Sequence, residues 1–262
     1  MRRIATIVKT VWLELLRRKD AYVMLIMLAV LLYALLSVNI FGLGTTQRYI
    51  LDLGLLMAWL FALIMTVNVS CRQLPDEERK GTIYPLLAKP VTRWELVIGK
   101  WLGAWSVVAL ATAVFYLLVA LVVKAYGGSF EWPTLIQGWV VHVAGLATIA
   151  ALGVAFSTRL TYGAAASMSY VVVGSSLLLL PRIPEMLVTA GSASATSLLA
   201  IYYLFPHFEL FDMRLRIVHE RGAIPPGSLA AVLAYAVVLT ALLLFISWLG
   251  YRQKRFERGA TL

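Results

Sequence analysis

The run Trp101-Leu-Gly-Ala-Trp-Ser-Val-Val-Ala-Leu-Ala-Thr-Ala-Val-Phe-Tyr-Leu-Leu-Val-Ala-Leu-Val-Val123 decides the fold. It carries no charge. As a helix it extends about 34 Å, enough to cross the ~30 Å hydrocarbon core of a bilayer. Backbone groups in lipid must be satisfied within their own segment, so a run of this kind is a helix. Five more uncharged runs obey the same rule: Ala21–Phe41, Leu53–Cys71, Trp132–Thr158, Leu160–Pro181 and Ala223–Tyr251. Six crossings are therefore expected, at about 21–41, 53–71, 101–123, 134–157, 161–181 and 228–250. The alternating pattern of a membrane β-barrel is absent.

Composition agrees. Of 262 residues, 61% are hydrophobic and 14% charged, with a mean hydropathy of +0.84. A soluble domain of this size needs far more polar surface. The expected fold class is an all-α polytopic membrane protein forming a single transmembrane domain over 1–262. The charged start runs to Asp20 and no small-residue cleavage site follows Phe41, which argues against a cleaved signal peptide. A single cysteine, Cys71, excludes an internal disulfide framework and any cysteine-rich metal site.

Charge sets the expected orientation. With the N-terminus in the cytoplasm, residues 1–20, 72–100, the turn at Arg159 and 252–262 lie inside. The whole net charge of +10 then falls on that side, and the outer segments sum to zero. Both termini are expected in the cytoplasm, and a bacterial inner membrane is the expected location. The basic surplus serves topology and attraction to anionic membrane lipid rather than nucleic acid, for which no separate basic fold exists.

Residues 4–16 place Ile4, Ile7, Val8, Val11, Trp12, Leu15 and Leu16 on one helical stripe, with charges opposite or at the ends. This predicts an amphipathic helix lying on the membrane surface before the first crossing. The other reading is a helix packed on another cytoplasmic element.

Met186–Phe208 is long enough to cross but has a small, polar centre, Gly191-Ser-Ala-Ser-Ala-Thr-Ser197. A crossing there would also move the basic tail outside. The segment is expected to be two short helices that enter the outer leaflet and return, with a turn near 191–197 and Leu198–Phe205 packed on the spans. Pro181, Pro184 and Pro206 punctuate it. Gly191, Ser194, Pro206, His207, Glu209 and Asp212 are the candidate outer-gate residues.

The loop between crossings two and three is the richest in chemistry. Thr92-Arg93-Trp94-Glu95 has the pattern of a capping box, which predicts a helix start at Thr92 that runs through Lys100 into the third span. Pro75-Asp76-Glu77-Glu78 reads as a second helix start, with three acids on the positive end of its dipole. Gly81 and Pro85 keep that helix short, and Leu86 and Leu87 give it an apolar tip. A solvated loop with ordinary caps is the plainer reading.

The stretch Glu78-x-x-Gly81-Thr82-x-x-x-Leu86-Leu87-x-x-Pro90-Val91-Thr92-Arg93-x-x-x-x-x-Gly99-Lys100 resembles ABC transporter permeases of the second, exporter-like type. Glu77 and Glu78 both qualify for the acidic position. The surrounding layout is similar too: an amphipathic N-terminal helix, six spans, a coupling loop and a re-entrant pair before the last span. The resemblance implies that Asp76, Glu77, Glu78, Gly81, Thr82, Leu86, Leu87, Pro90, Thr92 and Arg93 engage a separate ABC ATPase subunit. It also implies a second permease copy, identical or similar. No phosphate-binding G-x-x-x-x-G-K-[ST] occurs here. ATP and Mg are thus expected in the partner, with no cofactor in this chain.

Other chemistry is thin. His142 stands in the fourth span without an acidic partner in any span interior and reads as a neutral residue bonded to a neighbouring helix, the other reading being a proton relay. His207, Glu209, Asp212, His219 and Glu220 are metal-ligand types at the spacing of no known site, so no metal is expected. Asp52 is expected to favour the start of span two or to pair with Arg48. Gly99 and Gly103 form a G-x-x-x-G that admits a close helix. No nucleophilic triad is visible, so no catalytic residue is expected. An intramembrane enzyme would need paired polar groups at mid-span, and a secondary carrier inverted repeats or midplane charges. Neither is clear. A nearly uncharged interior points to a lipid-like or amphiphilic cargo.

Overall fold

The computed structural model describes residues 2–17, 20–37, 46–79, 92–189 and 192–252. The helices in chain order are α1 (Arg2–Arg17), α2 (Asp20–Ser37), α3 (Thr46–Arg79), α4 (Arg93–Ala125), α5 (Trp132–Ser157) and α6 (Tyr162–Leu179). A 3-10 turn at Leu180–Arg182 leads into α7 (Ile183–Thr189), followed by α8 (Ser192–Leu204). A second 3-10 turn at Phe208–Phe211 precedes α9 (Arg214–Val218), and α10 (Pro226–Arg252) closes the chain. Among the described residues, five helical stretches are long and apolar enough to cross a membrane: 48–79, 93–125, 132–157, 162–188 and 226–252. To these α2 adds an 18-residue apolar helix. The fold is all-α and polytopic.

α5 is the hub. Of its apolar window 72% is buried, against 17% for α10. Small residues explain this, since Gly138, Ala144, Gly145, Ala147, Ala150 and Ala151 let neighbours approach its axis. α3, α4, α6 and α10 all pack on it. The main core joins Leu55, Val108, Phe115, Val141, Ile149 and Val173 of α3, α4, α5 and α6 with Phe208, Phe211, Met213 and Ile217 of the segment before α10.

Three expectations change. First, α3 continues through Pro75 to Arg79, so Pro75-Asp76 does not open a new helix. Proline removes one backbone bond, and here it does so one turn from the helix end, where few bonds remain to lose. Asp52, likewise, lies inside α3 and is exposed rather than at its start.

Second, α1 lies against protein. Val11 is fully buried and Ile7 and Leu15 nearly so. They pack into α4, where Ile7 lies over Gly99 and Val11 over Gly103. A Cβ on either glycine would fall 2.8 Å or 2.7 Å from those side chains. The indole of Trp12 donates to Ser106 Oγ at 2.9 Å. The apolar stripe is thus spent largely on α4 and α3, with Leu13 left exposed.

Third, Ser192–Leu204 is one helix, α8, so residues 192–197 do not form the expected turn. Gly191 itself lies outside the described residues. Rather than packing fully on the spans, α8 exposes Leu199, Ile201, Tyr203 and Leu204.

Candidate coupling site

The site is built where α1, α3, α4 and α10 converge. Thr92 forms the expected capping box: its hydroxyl accepts from the Glu95 N–H at 3.2 Å, and its own N–H donates to Glu95 Oε2 at 2.8 Å. This fixes the first turn of α4. Arg3 of α1 lies 3.9 Å from the same carboxylate.

Two turns on, Lys100 is 1% exposed and forms an ion pair with Glu77 of α3. A buried ammonium is tolerated only beside a compensating charge. Of the two acids that fit the sequence pattern, Glu77 is therefore the one turned inward, while Glu78 is half-buried. Asp76 accepts from Arg79 Nη2 at 2.8 Å.

Arg93 has a role that sequence reading missed. Its guanidinium donates to the Tyr251 carbonyl at 2.8 Å and to the Arg252 carbonyl. These carbonyls lie in the last turn of α10, at the negative end of its dipole, where a cation is favoured. The Tyr251 ring is fully buried in a cluster with Ile7, Leu74, Leu96, Val97 and Leu244. Residues flanking the loop thereby hold four helices together. Gly81, Thr82, Leu86, Leu87 and Pro90, the loop tip, lie outside the described residues.

The outer candidates divide. Ser176 of α6 donates to the Pro206 carbonyl at 2.6 Å and accepts from the Phe208 N–H at 2.9 Å. His207 donates its N–H to the Tyr235 hydroxyl at 2.8 Å, and its ring Nδ1 lies 2.6 Å from Glu209. Asp212 stands apart from that pair and takes the Arg214 fork, with Nε and Nη2 at 2.9 and 2.7 Å from its two oxygens. Burial works against the charge on Arg214, but Asp212 outweighs it and raises the guanidinium pKa above its ordinary value. That guanidinium sits 5.3 Å over the Trp59 ring. Phe208, Phe211, Ile217 and Val218 are buried. The buried, cross-linked segment among the candidate gate residues is thus 206–218, and of Ser194 only its place in α8 is described. Its sequence signal is an apolar residue at nearly every inward position between Phe208 and Val218.

His142 shares a hydrogen bond with Tyr116 at 3.3 Å, as a residue bonded to a neighbouring helix. Among the described residues, no three of His, Cys, Asp and Glu are grouped as metal ligands.

A bundle of membrane-length helices, with the residues that flank its charged loop joined to several of them at once, is the build of a transport permease. Residues 19–259 match the family described as ABC-2 family transporter protein, and the chain belongs to that family. It is an integral membrane component of an ABC transporter, a transport subunit rather than the ATPase. No curated protein sequence matches it.

Proposed function

We propose that this chain is half of an ATP-driven export pathway, working as a dimer with an identical or similar permease. The 72–100 loop receives a separate ATP-binding subunit, which supplies ATP and Mg. Both termini and that loop face the cytoplasm, in a bacterial inner membrane. The observation that carries this reading is the clamp at the base of the loop. Glu77 with Lys100, and Arg93 with the end of α10, tie a force on the loop to α3, α4 and α10 together. A purely solvated loop needs no buried charge at its root.

The experiment is co-purification of the full chain from its native membrane. An ATPase subunit should accompany it, and Leu86→Asp with Leu87→Asp should release that subunit while the permease remains folded. Retention of the ATPase by this double variant, or its absence from the wild-type preparation, would overturn the assignment.

A further inference from the structure

α6 and α10 both pack on α5, yet they make no extended contact with each other. Between them runs a groove of about 540 Å³. Leu152 and Phe156 of α5 form its floor, and Val172 of α6 stands in one wall. The other wall is α10, where Tyr235, Val238, Leu239, Leu242 and Leu243 fall at i, i+3, i+4, i+7 and i+8, a single helical face.

The two walls are tied across one end. Ser176 of α6 donates to the Pro206 carbonyl at 2.6 Å, and the Tyr235 hydroxyl of α10 accepts from the His207 N–H at 2.8 Å. Residues 206 and 207 thus bridge the groove and fix the separation of its walls there. The end of α8 overhangs the same place. Its Tyr203 and Leu204 line the groove and remain 78% and 82% exposed.

No lining residue is charged, and the only polar side-chain groups among them are the hydroxyls of Tyr203 and Tyr235. Leu239 stands at the midpoint of α10. The groove therefore lies at the centre of a membrane-length helix, where the solvent is hydrocarbon. From Tyr235 to Leu243 it runs about 12 Å along α10. One leaflet supplies about 15 Å of hydrocarbon depth, half of the ~30 Å core. The groove matches most of one chain in length and offers a charged headgroup no partner.

We propose that this groove holds one acyl chain of a neighbouring membrane lipid. The chain is enclosed by α5, α6 and α10 and covered at one end by α8, while the rest of the lipid stays in the bilayer outside. An enclosed chain gains dispersion contacts on three sides that a chain lying on a single helix lacks. The headgroup takes no part, so lipids with the same chain bind alike. By filling the space beside residues 206 and 207, the chain supports that bridge from the membrane interior. The site needs only the bilayer and stands apart from the transport reading.

The test uses the full chain reconstituted in vesicles of phosphatidylcholine, and separately of phosphatidylglycerol, each with a small share of the same lipid carrying a diazirine at mid-chain. After irradiation, labelled residues are located by mass spectrometry. The comparison is Leu110 and Val114, on an exposed face near the middle of α4. Groove residues of α8 and α10 should label about fivefold more heavily than these, through the added contacts of an enclosed chain, and equally in both lipids. Val238→Trp, at a position 68% exposed and outside the core, should fill the groove and lower its labelling to the level of α4, with α4 itself unchanged. Leu242→Trp, one turn along and also exposed, should do the same and keeps the test open should the first variant fold poorly. Equal labelling of the groove and the α4 face overturns the proposal, as does labelling that survives both indoles or that changes with the headgroup. A disulfide between two copies carrying Val238→Cys on a Cys71→Ser background would give the groove to a second copy and overturn it equally.

Discussion

Lys100 carries its charge at 1% exposure, so its cost depends on Glu77. Removing Glu77 leaves Lys100 buried without its countercharge, a loss of about 3–5 kcal/mol. Removing both spares that penalty. Glu77→Gln and Lys100→Met should each lower the unfolding midpoint sharply in detergent, and the double variant should recover most of the loss. Additive losses in that cycle would show that the pair is not coupled. Glu78, only half-buried, should tolerate Gln without a comparable loss. A second contrast concerns two glycines of α5. A Cβ at Gly145 would fall 2.7 Å from both Cβ and Cγ of Phe211, whereas at Gly138 the close atom is the far end of Ile217, its Cδ1 at 2.5 Å. An aromatic ring held at its root cannot step aside as a methyl group can. Gly145→Ala should therefore loosen residues 206–218, cost about 1–3 kcal/mol and speed their cleavage by an added protease. Gly138→Ala should leave the cleavage rate close to wild type. Equal rates would contradict this contrast.

At the scale of elements, α1 shows how an amphipathic pattern has two solutions. A stripe at i, i+3, i+4 and i+7 reports that one face leaves water, but not whether lipid or protein receives it. The deciding signal was in another part of the chain. Gly99 and Gly103 leave a groove with the four-residue spacing of Ile7 and Val11, and the helix fits there. Gly103→Leu should push α1 off α4. The expected effect is a loss of about 1–3 kcal/mol together with faster proteolysis between α1 and α2, and an unchanged cleavage rate would contradict this packing. The capping box at Thr92 was legible outright, because its two hydrogen bonds are local and each residue names its partner. Pro75 misled for the opposite reason. Proline is as acceptable near the end of a long membrane helix as at the start of a short one, and the three acids after it fit either place.

For the whole molecule, the all-helical class followed from the uncharged runs, whose length leaves the backbone no other option in lipid. What sequence could not show was long-range pairing: Glu77 with Lys100, Arg93 with the end of α10, and Arg214 over Trp59 join residues far apart in the chain, and no local pattern records such a meeting. The expected orientation has its own check. With Cys71 replaced by Ser, single cysteines at Gly128 and Arg221 should react with an impermeant thiol reagent added outside intact cells, and those at Lys80 and Arg258 should not. Outside labelling at Lys80 or Arg258 would reverse the arrangement. One mechanical result follows from the unbroken course of α3. Glu77 near one end and Trp59 nearer the other ride on the same rod, about 27 Å apart along its axis. A tilt of about 5° pivoting at Glu77 would swing Trp59 by roughly 2.4 Å over that length, comparable to the helix shifts that switch other proteins between states. The cation seated on that ring would then lose its stacking distance, so residues 206–218 would register motion at the 72–100 loop through the stiffness of a single helix.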